Sequence, residues 1–162
     1  MGFMEIGDLY NKALHIATCA HKGQVDKAGC DYIGHPLRVA QRCTTPEAKI
    51  VALLHDTIED TDVTHQTLLD AGIPQEIVDA VLSVTRNPGE SYSDFIQRAA
   101  LNPLGLEVKL ADLEDNMDIR RLQEITDNDV ARLRKYLNAW RFLSQIGRSQ
   151  KTKKVIPYDN SA

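Results

Sequence analysis

The hydrophobic residues of the chain recur at intervals of three and four positions, which is the period of an amphipathic α-helix. In the segment 3–21, for example, Ile6, Tyr10, Leu14 and Ala17 form one apolar stripe. No long stretch alternates apolar and polar residues in the manner of a half-buried β-strand. The pattern therefore predicts an all-α fold without a significant sheet.

Helix start signals divide the chain into about seven or eight helical segments. Thr45, Thr64, Ser91 and Thr126 each precede a helical pattern, where a side-chain hydroxyl can accept a hydrogen bond from a free N–H group of the first turn. The segment 22–34 contains three glycines and is predicted to be a loop. The helices are expected at approximately 3–21, 35–43, 45–60, 64–72, 74–87, 91–101, 103–117 and 126–149.

The 162 residues contain no internal repeat and no low-complexity linker. This length suits one domain, which can bury a hydrophobic core without disulfides or a structural metal. We expect a single domain over residues 1–149 and a flexible tail over residues 150–162.

The composition is that of a globular protein, with 43% apolar and 26% charged residues. Cys19, Cys30 and Cys43 form an odd set without a CxxC pair, which argues against a disulfide framework and favours a reduced, cytoplasmic setting. The net charge of −4 lacks the basic excess typical of nucleic-acid binding. The longest apolar run, Ile50–Leu54, is too short to cross a membrane. We expect a monomer or small homo-oligomer that binds neither nucleic acid nor membranes.

The stretch "LLHDTIEDT" concentrates titratable groups, because it holds His55, Asp56, Glu59 and Asp60. On the predicted helix, residues four apart share a face, so these side chains project into one sector. The acidic groups fall at the helix C-terminus, where the macrodipole disfavours negative charge, and no lysine or arginine occurs within 50–85. The stretch is either a solvated acidic helix end or a site that binds a cation.

Two further segments favour the cation site. His35 begins a predicted helix in "YIGHP", and Asp112 lies among apolar residues in "VKLADLEDNM", where an aspartate is rarely buried unless it is paired or binds a metal. Together with His55 and Asp56 they form a mixed nitrogen and oxygen ligand set. Such a set suits Mn²⁺, Fe²⁺ or Zn²⁺ and gives little preference to Ca²⁺ or Mg²⁺.

A metal held by four protein ligands leaves room for water if its coordination is octahedral. The metal lowers the pKa of that water and makes it a nucleophile near neutral pH. Glu59 and Asp60 are then placed to take its proton or to orient it. The order H…HD…D in a helical domain therefore predicts metal-dependent hydrolysis.

In its motifs the chain resembles the HD-superfamily metal-dependent phosphohydrolases, and more narrowly the (p)ppGpp hydrolase domain of stringent-response enzymes and their small stand-alone relatives. The most specific motif is "HDTIEDT", because its Glu-Asp pair marks this branch of the superfamily. The resemblance covers residues from about 10 to 140. The segments that carry it are "AHKGQ" (20–24), "GCDYIGHPLRVA" (29–40), "LLHDTIEDTDVT" (53–64) and "VKLADLEDNM" (108–117).

The resemblance implies an HD-domain helical bundle and release of pyrophosphate from the 3′ position of ppGpp or pppGpp, which leaves GDP or GTP. It also implies that Glu59 and Asp60 serve the hydrolytic water. One Mn²⁺ per chain is implied, with Fe²⁺, Zn²⁺ and Mg²⁺ as alternatives. The implied ligands of that metal are His35, His55, Asp56 and Asp112.

The family also implies residues that bind the nucleotide. A basic loop after the first helix matches Lys22 and Lys27, and an asparagine one turn after the last metal aspartate matches Asn116. Arg132 and Tyr136 have the spacing of an arginine and a tyrosine that would lie near phosphate and base. The alternative for these two residues is an ordinary surface arginine and a core tyrosine.

Two departures from the family pattern concern substrate recognition. Leu113 follows "LAD" where the family usually has a basic residue, and Lys22 stands where arginine is common. An ammonium cannot stack on a base as a guanidinium does. A phosphohydrolase for another nucleotide, such as a phosphomonoesterase, and a nucleotide-binding regulator without turnover are therefore the alternative functions.

Overall fold

The computed structural model describes the backbone of residues 5–153 and the side chains as far as residue 149. Over this range the chain forms nine α-helices and one short 3₁₀ turn, and its β-pairing is a single isolated bridge between Val25 and Asp31. The all-α prediction is confirmed. The elements are α1 Ile6–Ala20, α2 Gly34–Arg42, α3 Pro46–Leu54, α4 Thr57–Asp60, α5 His65–Asp70, α6 Gln75–Ser83, α7 Tyr92–Ala100, α8 Pro103–Asn116, the 3₁₀ turn Ile119–Arg121 and α9 Asp127–Lys153.

The predicted helix starts are confirmed by their capping hydrogen bonds. The hydroxyl of Thr45 accepts from the backbone N–H of Ala48, and Thr64 and Ser91 accept in the same way three residues downstream. Thr126 accepts from the N–H of Asp129, whose carboxylate in turn accepts from the Thr126 backbone. Each hydroxyl satisfies an N–H group that the first helical turn leaves without a partner.

The prediction of one continuous helix through the histidine-aspartate motif is wrong. Helix α3 ends at Leu54, α4 begins at Thr57, and His55 and Asp56 lie in the break between them. Side chains compete here for carbonyl groups that a continuing helix would use: His55 Nδ1 lies 2.6 Å from the oxygen of Ala52, and the Thr57 hydroxyl donates to Leu54. This break makes nine helices where about seven or eight were expected.

Helix α3 occupies the centre of the bundle and packs against α1, α2, α6 and α8. Its residues from Ile50 to Leu54 are all fully buried, so it has no solvent-facing side over this length. A helix that is apolar all round belongs in a core. The C-terminal end of α3, and with it His55, therefore points into the interior of the domain.

Helix α8 is tied to α3 by the carboxylate of Glu107, which accepts hydrogen bonds from the hydroxyls of Thr44 and Thr45. A carboxylate at a helix N-terminus also interacts favourably with the helix dipole. Burial by itself raises the pKa of Glu107, but the hydrogen bonds from both threonines outweigh it and lower that pKa. These hydrogen bonds join α8 to the N-terminal end of α3, which is opposite the break after Leu54.

A second apolar cluster joins α7, α8 and α9. Leu113 lies in this cluster and is 1% exposed, so its side chain faces the core. The cluster holds the long helix α9 over one side of α8. Its buried members are Ile96, Ala100, Leu106, Leu113, Ala139 and Leu143.

The predicted tail, residues 150–162, begins while the backbone of α9 is still helical, and residues 154–162 lie outside the described part of the chain. The division into a domain and a tail stays a prediction. Among the described residues, no helix combines the length and apolar character that crossing a membrane requires.

Candidate metal centre and adjoining cleft

The four side chains predicted to bind a metal converge at the break between α3 and α4. His35 comes from the start of α2, His55 and Asp56 from the break, and Asp112 from α8. His35 Nε2 lies 3.6 Å from Asp56 Oδ2 and 3.2 Å from Asp112 Oδ1. His55 Nε2 lies 3.1 Å and 3.7 Å from the same two oxygens. Two imidazole nitrogens and two carboxylate oxygens therefore face one point.

The donor set fits a divalent cation. Ligand atoms of His35, His55 and Asp56 all lie within 4.8 Å of one another. His55 is 2% exposed, and its Nε2 is a buried atom that makes no hydrogen bond. Buried polar atoms almost always have a partner, and a missing one points to an ion or a water. A cation bound at this point would satisfy His55.

The histidines and carboxylates of the cluster shift one another's pKa values. Burial alone lowers the pKa of His35 and His55, but the facing carboxylates outweigh it and raise both pKa values. Burial alone raises the pKa of Asp56, but the imidazole of His55 lowers it to about 2. These shifts favour ionised carboxylates, and a bound cation would compensate the same negative charge.

Both imidazoles are oriented through their other ring nitrogen. His55 Nδ1 lies 2.6 Å from the carbonyl oxygen of Ala52, and His35 Nδ1 lies 2.8 Å from Asp115 Oδ2. Such contacts hold Nδ1 as a donor and leave Nε2 free for a metal. In both residues the free Nε2 is the atom that faces the carboxylates.

The two carboxylates are also held by neighbouring donors. The Tyr32 hydroxyl donates to Asp56 Oδ2 at 2.6 Å, and Lys109 Nζ donates to Asp112 Oδ2 at 2.7 Å. Asn116, predicted to bind the nucleotide, donates from Nδ2 to Asp112 Oδ1 at 2.6 Å. In this structure Asn116 therefore contacts a candidate metal ligand.

The two residues predicted to serve the hydrolytic water lie on different sides of α4. Glu59 lines the same depression as His35, Asp56 and Asp112, and its Oε2 accepts from the backbone N–H of Arg86. Asp60 lines a separate surface depression, where Gln24 donates to its backbone carbonyl. Burial and the charges of Asp56 and Glu59 raise the pKa of Asp60. The structure thus brings Glu59 into the cleft and leaves Asp60 beside it.

The candidate centre lies where two depressions meet, and together they form one cleft. Their volumes are about 740 Å³ and 920 Å³ when the space open to solvent is included. The residues that line both depressions are Tyr32, His35, Asn116 and Tyr136. The cations of the larger depression are Lys27, Arg38, Arg121 and Arg132, and those of the smaller one are Arg86, Lys109 and Lys135.

Four of the five residues predicted to bind the nucleotide line this cleft. Lys27 Nζ and Arg132 Nη1 lie 3.3 Å and 3.5 Å from the same oxygen of Asp129. The Arg132 guanidinium is 5.6 Å from the ring centroid of Tyr136. Lys22 is exposed on the loop after α1 and does not line either depression.

Sequence reasoning missed Asp115, which is completely buried. Burial alone raises its pKa, but hydrogen bonds from His35 and Arg38 outweigh it and lower the pKa to about 2. It lies three residues after Asp112 on α8, and this spacing was the available signal, since residues three apart share a helix face. Other residues missed are Tyr32, Arg38, Arg86, Lys109, Arg121 and Lys135.

No model of a known protein family matches the chain. A GTP pyrophosphokinase of Myxococcus xanthus is 34% identical over 143 residues, which are 78% of this chain and 19% of that protein. A guanosine-3′,5′-bis(diphosphate) 3′-pyrophosphohydrolase of Aquifex aeolicus is 33% identical over 118 residues, 65% of this chain and 17% of that protein. A protein of the same name from Haemophilus influenzae is 36% identical over 116 residues.

One solved structure, described as "A metazoan ortholog of SpoT hydrolyzes ppGpp and plays a role in starvation responses", has a TM-score of 0.64 and 21% identity to the chain. The match covers 93% of this chain and 98% of that one. It confirms the predicted all-α helical bundle, and the sequence relatives confirm the resemblance drawn from the motifs. The chain spans 19% and 17% of the length of the first two curated relatives.

Proposed function

We propose that the protein is a metal-dependent hydrolase that releases pyrophosphate from the 3′ position of ppGpp or pppGpp. The observation that carries this proposal is the convergence of His35, His55, Asp56 and Asp112 at the meeting point of two cation-lined depressions. The names of the relatives and of the matched structure support the choice of substrate.

One divalent cation, Mn²⁺ in this proposal, is held by the two imidazoles and the two carboxylates. When bound, it polarises a phosphate oxygen and lowers the pKa of a water molecule. Glu59, which lines the same depression, is placed to accept the proton of that water, whereas Asp60 lines the neighbouring depression and its backbone carbonyl accepts from Gln24. Tyr32 and Lys109 keep the two carboxylates turned toward the centre.

The cations of the cleft bind the phosphates, which the net charge of −4 would otherwise repel. Lys27 and Arg132 serve the nucleoside side of the substrate, where the ring of Tyr136 can also contact the base. Lys135 lines the smaller depression and is placed to bind a phosphate group there, while Lys109 is already paired with Asp112.

The direct test is to incubate the protein with ppGpp and Mn²⁺ and to follow GDP and pyrophosphate by chromatography. We expect turnover that a chelator abolishes. Asp56→Asn and His55→Ala should reduce it to background, because the first removes the negative charge of a ligand carboxylate and the second removes a ligand nitrogen. Glu114→Gln, an exposed acid on α8 that bonds Trp140, is the matched control and should retain activity. Unchanged turnover in Asp56→Asn would show that the proposed site is wrong.

A second candidate is a phosphohydrolase for another nucleotide. The observation that favours it is the burial of Leu113, which brings no charge to the cleft at a position that is usually basic in the family. A panel of nucleoside mono-, di- and triphosphates separates the candidates. Cleavage of another nucleotide without cleavage of ppGpp would assign the second function, and binding without any turnover would identify a regulator.

A further inference from the structure

Asp115 is a completely buried carboxylate that a histidine and several arginines surround. Its Oδ2 lies 2.8 Å from His35 Nδ1, and Arg38 Nε donates to both of its oxygens at 2.9 Å and 3.2 Å. Arg121 approaches Oδ2 at 3.3 Å and Arg42 approaches Oδ1 at 3.7 Å. The arginines compensate the negative charge, so the carboxylate stays ionised although it is buried.

The two candidate histidine ligands differ in what holds their Nδ1 atom. For His55 the acceptor is the backbone carbonyl of Ala52, which is neutral and belongs to the same segment. For His35 the acceptor is Asp115, which is charged and comes from α8. A charged acceptor forms the stronger hydrogen bond and makes the opposite ring nitrogen a better electron donor.

We propose that Asp115 is a positioning residue for the metal centre, which holds His35 with Nδ1 protonated and Nε2 directed at the cation and thereby raises the affinity for that cation. Asp115 contacts the Nδ1 side of the His35 ring, opposite the Nε2 atom that faces the candidate metal centre. It is therefore not one of the metal ligands in this proposal. The proposal rests on the metal-binding part of the proposed function, and it is independent of which nucleotide is hydrolysed.

A purely architectural role for Asp115 is the competing explanation, since the same carboxylate joins α8 to arginines of α2. The two roles differ in what they change. An architectural residue affects the free energy of unfolding and leaves the cation affinity of the folded protein as it was. A positioning residue changes the cation affinity and the state of the His35 ring.

The first experiment is a calorimetric titration of the purified chain with Mn²⁺, with circular dichroism to verify folding. We expect Asp115→Asn to bind Mn²⁺ about 10–100-fold more weakly than the native chain, the usual effect of losing such a partner of a histidine ligand. Glu114→Gln removes the same charge from the neighbouring position of α8 and should bind as the native chain does. Equal affinity in folded Asp115→Asn overturns the proposal.

The second experiment uses the native chain, so it decides the question even if Asp115→Asn does not fold. In the Zn²⁺-loaded protein, ¹⁵N chemical shifts of the histidine rings should show His35 with a protonated Nδ1 and a metal-bound Nε2. Coordination through Nδ1, or absence of Zn²⁺ and Mn²⁺ binding altogether, overturns the proposal. Loss of ppGpp turnover with normal cation binding would instead contradict the proposed substrate and leave Asp115 in its role.

Discussion

At the scale of single residues, Lys109 is an ammonium group in an environment that ordinarily excludes charge. Its side chain is 12% exposed, and it pairs with Asp112, which is 7% exposed. The ammonium also lies 4.8 Å from the ring centroid of Phe95. Burying either charge alone costs free energy, and the ion pair between Lys109 and Asp112 offsets that cost for both groups.

We expect Lys109→Met to destabilise the metal-free protein by about 3 kcal/mol, because it removes the ammonium group that pairs with the buried Asp112 carboxylate. Added Mn²⁺ should recover part of this loss, since the cation compensates the same carboxylate. Urea unfolding with and without Mn²⁺ measures both effects. Lys22→Met, an exposed lysine, should change the free energy of unfolding by less than about 0.5 kcal/mol and serves as the control.

The candidate metal ligands could be predicted because each stands in a short segment with its own signal. Their supporting residues could not. Asp115 and Lys109 each lie three residues from Asp112 on α8, but this spacing alone does not distinguish them from solvated charges on a helix, and the contact of His35 with Asp115 forms only in the folded chain. Contacts such as His35 with Asp115, which lie 80 residues apart, are not encoded in spacing along one segment.

At the scale of elements, α8 depends on a close approach at its first turn. A Cβ atom added at Gly105 would lie 2.1 Å from Ser83 Oγ and 3.2 Å from the carbonyl oxygen of Ala99. Only glycine fits between these neighbours without a shift of the Ser83 side chain or of α8. Because α8 also carries Asp112, such a shift would move a candidate ligand.

Gly105→Ala should therefore destabilise the protein by about 1–3 kcal/mol, the range for overpacking in a well-packed region. Adding Ser83→Ala should restore part of the loss, because it removes the oxygen in closest contact. A double-mutant cycle by urea unfolding measures the coupling. The matched control is Gly147→Ala on α9, which meets nothing within 4 Å and should stabilise by up to about 1 kcal/mol. Independent, additive effects at positions 83 and 105 would contradict this account.

Helix starts were predictable because capping depends on one side chain and the three residues after it, as at Thr45 and Ser91. The break after Leu54 was not predictable from periodicity, since the apolar pattern continues to Ile58. It arises where side chains of His55 and Thr57 bond to carbonyls of the preceding turn. Local hydrogen bonding of this kind overrides a pattern that favours a continuous helix.

At the scale of the whole molecule, the candidate metal centre joins three parts of the chain that are far apart in sequence. Its side chains come from positions 35, 55–56 and 112, on α2, the break after α3, and α8. A cation bound to all of them links these elements in the folded state only. Binding to the native state alone stabilises it by an amount that grows with the cation concentration.

We expect Mn²⁺ to raise the Tm of the protein in a concentration-dependent manner. At roughly 100 times the dissociation constant, the stabilisation should be about 2.7 kcal/mol. Scanning fluorimetry over a series of Mn²⁺ concentrations measures it, with Ca²⁺ as the comparison ion. Asp112→Asn should lose most of the dependence, because it removes the negative charge of the candidate ligand on α8. A Tm that does not respond to Mn²⁺ would contradict a metal centre at this position.

The general architecture could be predicted from the sequence, because helical periodicity and caps are local properties. The layout of the cleft could not, since Lys27, Arg132 and Tyr136 reach it from segments about 100 residues apart. Lys22 was predicted to bind the nucleotide because of its position in a motif. Its loop follows α1 as expected, but its side chain is exposed and lies outside the cleft.

The buried cluster at the end of α3 also has a consequence for how long the protein survives in a cell. Without a cation, the buried His55 Nε2 atom lacks a hydrogen bond and the facing carboxylates lack the positive charge that a metal would bring. Under the proposed metal loading, scarcity of the cation increases the unfolded fraction, which proteases remove. Under the proposed function, the supply of divalent metal would therefore affect the abundance of the protein as well as the rate at which each copy works.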